Sequence, residues 1–279
     1  MRKEVETHWD VVCTWPLFLF GFFVFSTCHR LLVYFFKYIL HPRYGNGGVY
    51  HTTEKCVSSI QAVLSVIVGI VIASNCQGNI MTDTHWLTNS YAWFGMPYFY
   101  YDTVAMYLSH YYLHPHLSSL PVSHRIWHYI VNTKALLIHH FVLPLIFFPS
   151  ILFFRKNLGD FFVGVFYQIE LAIPFISLRN VLAQLQLKDT PYYIAAGLLM
   201  IVAFAVCRVF VFPYLYWKYA QYANISIWSV PSTIPLKCNI GCLVILVLQV
   251  YWLYVMVRGA VKVFYKMYMK SQNQKSKIS

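Results

Sequence analysis

The sequence predicts an all-α fold, a multi-pass transmembrane helical bundle of about seven spans, and three observations carry that prediction. Of the 279 residues, 59% are hydrophobic and only 11% are charged, against roughly a quarter charged in an ordinary soluble domain. Seven apolar segments approach the length of about 20 residues that a membrane-crossing helix needs. Aromatic residues make up 19% of the chain, a surplus suited to two membrane–water interfaces.

The segments are residues 11–28, 57–74, 91–112, 135–154, 160–178, 192–217 and 238–257. The first could run on towards Leu40 as an interfacial helix. The N-terminal stretch carries three acids and no clear small-residue cleavage site, so the expectation is a retained first span, not a signal peptide. No internal repeat is present, and only residues 271–279 form a polar tail. The expected organisation is residues 1–53 as a first span with its flanks, residues 54–263 as the main domain, and residues 264–279 as a basic tail.

The formal charge of +12 does not point to nucleic acid, because the basic residues flank apolar segments and form no single patch. They read as topology. With the N-terminus in the lumen, 14 Lys and Arg fall on the cytosolic side and 6 on the other, leaving Arg208 inside a span. The C-terminus is then cytosolic. Asn224-Ile225-Ser226, the one glycosylation acceptor pattern, falls in a luminal loop. Lys275 and Lys277, fifth and third from the end, match a dilysine retrieval signal read by coat proteins on endoplasmic-reticulum membrane proteins. A merely basic tail fits the same residues.

Seven cysteines are spread widely, without CxxC pairs or zinc spacing, as expected of buried apolar-type residues. Cys76 and Cys238 fall at luminal helix ends, where a disulfide is chemically permitted and two free thiols are the simpler alternative.

Ionisable groups inside spans are expensive, at about 2.5–3.5 kcal/mol on insertion scales, and normally face the bundle interior. Asp102, His139, His140, Glu170 and Arg208 stand out. The first four lie at depths that one cytosol-facing cavity could collect. Neighbouring helix residues point about 100° apart, so the two histidines cannot share one role. A carboxylate beside an imidazole fixes its tautomer, as a general base or an acyl-accepting imidazole requires. Two histidines held by interhelical hydrogen bonds are the structural alternative. Pro144 and Pro174 each follow a polar residue, His140 and Glu170, by four positions. A helix proline frees the carbonyl at i−4, and irregular backbone at membrane depth survives only when buried or lining a cavity. Arg208 is expected deeper towards the lumen, snorkelling or holding a lipid head group. No HExxH, GxSxG or phosphate-loop pattern is present, no bound metal is expected, and the end-of-span motifs of seven-helix signalling receptors are missing.

Six stretches in order carry a family resemblance: VSSIQA at 57–62, PYFYYD at 97–102, IHH at 138–140, GDFFVG at 159–164, ELAIPF at 170–175 and CRVFVFPYLYW at 207–217. Together they resemble the TLC-domain family, which includes TRAM-type proteins and ceramide synthases, and look most like its TLC domain-containing protein 3 subgroup. The resemblance runs from about residue 54 to 263. It implies an endoplasmic-reticulum or Golgi membrane protein concerned with ceramide and other lipids. In ceramide synthases a His-His pair serves acyl transfer from acyl-CoA to a sphingoid-base amine. His139 and His140 take that place, Asp102 matches the acid of the preceding span, and Glu170 matches the first acid of the following motif. Ile173-Pro174 stands where those enzymes carry a second Asp, and 131–134 abbreviates the charged stretch before the His pair.

The expected function is therefore a ceramide synthase-like N-acyltransferase with acyl-CoA as co-substrate and no tightly bound cofactor. Arg125, Lys134, Arg179 and Lys188 would attract the CoA phosphates. The rival expectation is a non-catalytic lipid sensor or a receptor for cargo cycling between endoplasmic reticulum and Golgi. Either is compatible with a homo-oligomer.

Overall fold

The computed structural model of the chain describes residues 14–275. The start of the first apolar segment and Lys277 lie outside the described residues. Among the described residues all regular structure is helical. The chain divides into two compact units, one ending at Leu187 and one beginning at Lys188.

In the first unit, α1 (Thr14–Asn75) is 62 residues long and is broken once, at Gly45, whose φ of 60° and ψ of −168° leave the helical region. Only glycine adopts such a conformation cheaply. The flanking sequence, Pro42 followed by Gly45, Gly47 and Gly48, is the weakest helix former in the element. The break divides α1 into two arms. Phe25 of the first arm and Val57 of the second bury against Tyr98, Tyr101 and Ala105 of α2 (Leu87–Leu113). A 3₁₀ turn, Pro115–Ser119, leads into α3 (Val122–Val142), which continues as two π-helical turns, Leu143–Phe147 and Ser150–Phe154. Then come α4 (Asp160–Tyr167), a 3₁₀ turn Gln168–Ala172, and α5 (Ile173–Gln184).

Two close approaches lock this unit. A Cβ on Gly164 of α4 would stand 2.9 Å from the Ala73 amide nitrogen and 3.0 Å from the Gly69 carbonyl of α1, so the two backbones meet where only glycine fits. At the entry to α4, buried Asp160 pairs with Arg155. Asp160 also accepts from the His85 amide at 2.7 Å, and Arg155 donates to Asn89 Oδ1 at 2.7 Å. Arg155, a topology marker in the sequence, thus ties the connection before α4 to the starts of α4 and α2.

In the second unit, α6 (Pro191–Phe204) passes through a π-helical turn, Ala205–Val209, into α7 (Val211–Ala223). Asn224 ends α7 in the left-handed conformation. A short helix α8 (Val230–Thr233) and the 40-residue α9 (Leu236–Lys275) follow. The Tyr216 hydroxyl donates to Asn239 Oδ1 at 2.7 Å, and Asn239 Nδ2 donates to the Pro231 carbonyl at 2.7 Å, joining α7, α8 and α9. Cys76 and Cys238 are free thiols.

Among the described residues five helices are long and apolar enough to cross a membrane: Trp15–Asn75, Val122–Phe154, Asp160–Gln184, Pro191–Ala223 and Leu236–Tyr265. The first holds two of the sequence segments, one on each side of Gly45. Residues 91–112 lie in α2, which is 27 residues long but diluted by tyrosines, Asp102 and His110. Leu243, Val244, Val247 and Tyr251 of α9 are all exposed, an arrangement that water would penalise and lipid does not. The chain is a multi-pass, all-α membrane protein.

The glycine contact generates a test. Gly164→Val should lower the thermal unfolding midpoint in detergent, with a loss of about 1–3 kcal/mol from overpacking. Gly259→Ala, where a Cβ meets nothing within 4 Å, should leave that midpoint unchanged or raise it.

Candidate functional site

Three elements of the first unit bring polar side chains together. The second arm of α1 contributes Glu54 and Ser58, four residues apart and so on one face, with Lys55 beside them. On α2, Tyr98 and Asp102 share the same four-residue spacing. α3 contributes His140 near its end. Glu54 is 2% exposed, Asp102 3% and His140 7%.

His140 Nε2 stands 3.4 Å from Asp102 Oδ2. That is longer than the usual N–H···O range of about 2.7–3.2 Å, as catalytic contacts often are before substrate binds. The imidazole also has a hydrogen-bond interaction with the Phe99 carbonyl. His140 Nδ1 is buried and has no partner. The Asp102 carboxylate beside Nε2 therefore favours the proton there and leaves the Nδ1 lone pair without a partner. Ser58 Oγ lies 3.3 Å from Asp102 Oδ1 and 2.9 Å from the Glu54 carbonyl; its single proton serves one acceptor at a time. Lys55 Nζ donates to Glu54 Oε1 at 2.8 Å. The Tyr98 hydroxyl also reaches Asp102. The set holds two carboxyl groups, one lysine and one imidazole.

Glu170 sits half-buried on the 3₁₀ turn before α5, within electrostatic reach of His140, Tyr91 and Tyr98. His139 is half-buried, its ring 5.7 Å from that of His140 and nearly perpendicular to it. The structure thus brings Asp102 and His140 together with His139 beside them, and leaves Glu170 within electrostatic reach of His140. Both prolines mark irregular backbone: π-helical turns begin directly after Val142, and a 3₁₀ turn precedes Pro174. Such departures concentrate at functional sites in helices.

The basic residues are more dispersed. Arg125 donates through Nε to the Leu120 carbonyl at 2.7 Å and through Nη2 to the Ser118 carbonyl at 2.8 Å, with its guanidinium over Tyr111; it closes the turn before α3. Lys134 is exposed on α3, and Arg179 is half-buried on α5. Lys188 is exposed and belongs to the second unit, as does Arg208, which is buried in a π-helical turn over the Phe204 ring. Among the described residues no three His, Cys, Asp or Glu side chains are arranged to hold a metal ion.

Residues 51–258 match the model of the TLC domain (TRAM–LAG1–CLN8). The chain belongs to the TLC-domain family. Its match includes Glu54, Lys55, Ser58, Asp102, His140 and Glu170, and it places the chain among membrane proteins with lipid-related roles. No solved structure matches the chain.

Glu54, Lys55 and Ser58 were not among the sequence-derived site residues, where Lys55 counted only towards topology. A signal for them exists. Glu54, Ser58, Gln61 and Ser65 fall at positions i, i+4, i+7 and i+11, one polar stripe down an apolar helix, and all four are buried. His29 also joins the neighbourhood, its Nδ1 2.7 Å from the Tyr101 hydroxyl.

Lys55→Met should destabilise the protein by about 3 kcal/mol, because it strands buried Glu54 without its counter-ion. Lys55→Met combined with Glu54→Gln should recover most of that loss. A double-mutant cycle on unfolding in detergent measures both.

Proposed function

We propose that this chain is a ceramide synthase-like membrane N-acyltransferase, joining an acyl group from acyl-CoA to the amine of a sphingoid base. The observation that carries the reading is His140, with Asp102 on one ring nitrogen and the other ring nitrogen buried and open. As a general base, Nδ1 takes a proton from the amine while the amine nitrogen attacks the thioester carbon. The carbon–sulfur bond breaks, and the CoA thiolate leaves with that proton as the thiol. As an acyl carrier, the same nitrogen attacks the thioester first and passes the acyl group to the amine. Both routes place positive charge on the imidazole. Asp102 and Glu54, opposed only by Lys55, offset it without reorganisation. Glu170 adds negative potential from within electrostatic reach, and His139 stands beside the reacting imidazole.

Lys134 and Arg179 are the basic residues of the first unit that would attract the CoA phosphates; Arg125 acts on the turn that precedes α3. The TLC domain takes residues 54–263. The proposed location is the endoplasmic-reticulum membrane, with cycling to the Golgi, a luminal N-terminus and a cytosolic C-terminus whose Lys275 and Lys277 a coat protein would read. One observation favours a non-catalytic lipid-sensing role of the same buried set: apolar Ile173-Pro174 opens α5 where ceramide synthases carry their second Asp.

The test is reconstitution in liposomes with acyl-CoA and a sphingoid base, with ceramide read by mass spectrometry. Wild type should form ceramide, His140→Ala none, and Asp102→Asn about a hundredfold less than wild type. A wild type without product, or one matched by the His139→Ala/His140→Ala variant, overturns the acyltransferase reading.

A further inference from the structure

A second histidine group lies where the end of α2 meets the start of α3. His110 and His114 come from the last turns of α2 and the residue after it, His116 from the following 3₁₀ turn, and His128 from α3. Their ring centroids are 4.4 Å apart for His110–His114, 5.0 Å for His110–His128, 5.6 Å for His114–His128, 5.6 Å for His116–His128 and 5.8 Å for His114–His116.

The hydrogen bonds fix where the protons sit. His110 Nε2 lies 2.8 Å from His128 Nδ1. Asn132 Nδ2 donates to the His128 carbonyl at 2.7 Å and also lies 3.4 Å from His128 Nδ1. An amide NH₂ only donates, so His128 Nδ1 is an acceptor and the His110 Nε2–H is the donor. His114 Nδ1, 2.8 Å from the His110 carbonyl, must carry its own proton. The arrangement requires a bare Nδ1 on His128, so that ring is neutral while it accepts from His110. The ionisable groups that act on His110 are His114, His128 and His116. Around them stand Tyr129, Tyr107 and Tyr111, with Arg125 over Tyr111; from α1, His51 meets Ser109 beside His110. Among these neighbours only the histidines gain charge on acidification, and none of the named groups is a carboxylate.

We propose that the four histidines form a proton-sensitive latch that holds α2 to α3 when neutral and releases them when protonated. One added proton leaves an N–H and a lone pair across the 2.8 Å contact, but once both rings are protonated N–H faces N–H there and the acceptor that Asn132 also faces is gone. The resulting imidazolium pair then sits beside two further imidazoles. The next tie along the pair, from the Tyr129 hydroxyl to the Thr103 carbonyl at 2.9 Å, contains no imidazole and stays closed, so opening is confined to the His end. α2 and α3 also carry Asp102 and His140, so the latch bears on the buried site's surroundings. It stands whether or not that site acylates amines.

Hydrogen exchange of the full-length protein in nanodiscs, corrected for intrinsic rates, tests this at about pH 7.5 and about pH 4. Peptides covering 107–130 should exchange about tenfold faster at the lower pH, while peptides covering 58–72 keep their protection. His128→Gln supplies an uncharged acceptor and should abolish the pH effect. Equal protection of 107–130 at both pH values overturns the latch. So does an undiminished pH response in His128→Gln, or a loss of protection that reaches 58–72 equally.

Discussion

A carboxylate that stays ionised inside a hydrocarbon layer needs a partner, and the partner must be held in place by something other than water. Asp102 meets that demand with His140, Ser58 and Tyr98 on three different helices. Each helix is therefore constrained in rotation and depth by one buried acid. Glu54 and Lys55 repeat the pattern one step away. The break at Gly45 lets the two arms of α1 present Phe25 and Val57 to the same face of α2, and the glycine contact at Gly164 fixes α4 against α1.

The two histidine groups solve opposite problems. His140 faces carboxylates with one nitrogen and keeps the other open, so added positive charge there is offset by its neighbours. His110 and His128 face other imidazoles and share one proton between two lone pairs, so added positive charge there has nothing to offset it. Imidazole chemistry is the same in both; the counter-charges differ. One group is suited to carrying a transient proton or acyl group, the other to reporting one.

Much of this was legible in the sequence, because hydrocarbon is a strict solvent. Low charge and long apolar runs demand helices, and Asp102, His140 and Glu170 were conspicuous because ionisable groups are costly in spans. Their convergence followed from depth alone. The first two segments were read as separate spans, and they lie in two helical arms on either side of Gly45, joined without an intervening loop because a positive-φ glycine breaks the helix there. Glu54 and Lys55 escaped notice because they flank an apolar run, the position in which charges ordinarily mark the membrane surface. Arg155 was hidden in the same way by its pairing with Asp160 across connecting segments. The histidines at 110, 114, 116 and 128 are spaced irregularly, and only the turn between α2 and α3 brings them together.

The central claim is that Asp102 sets the tautomer of His140. Solid-state NMR of ¹⁵N-histidine-labelled protein in lipid reads it directly, with His140→Gln identifying the signals of that ring. The account predicts a neutral imidazole protonated at Nε2 with a bare Nδ1, and a change in that pattern in Asp102→Asn. A His140 protonated at Nδ1, or one whose signals ignore Asp102→Asn, would contradict it.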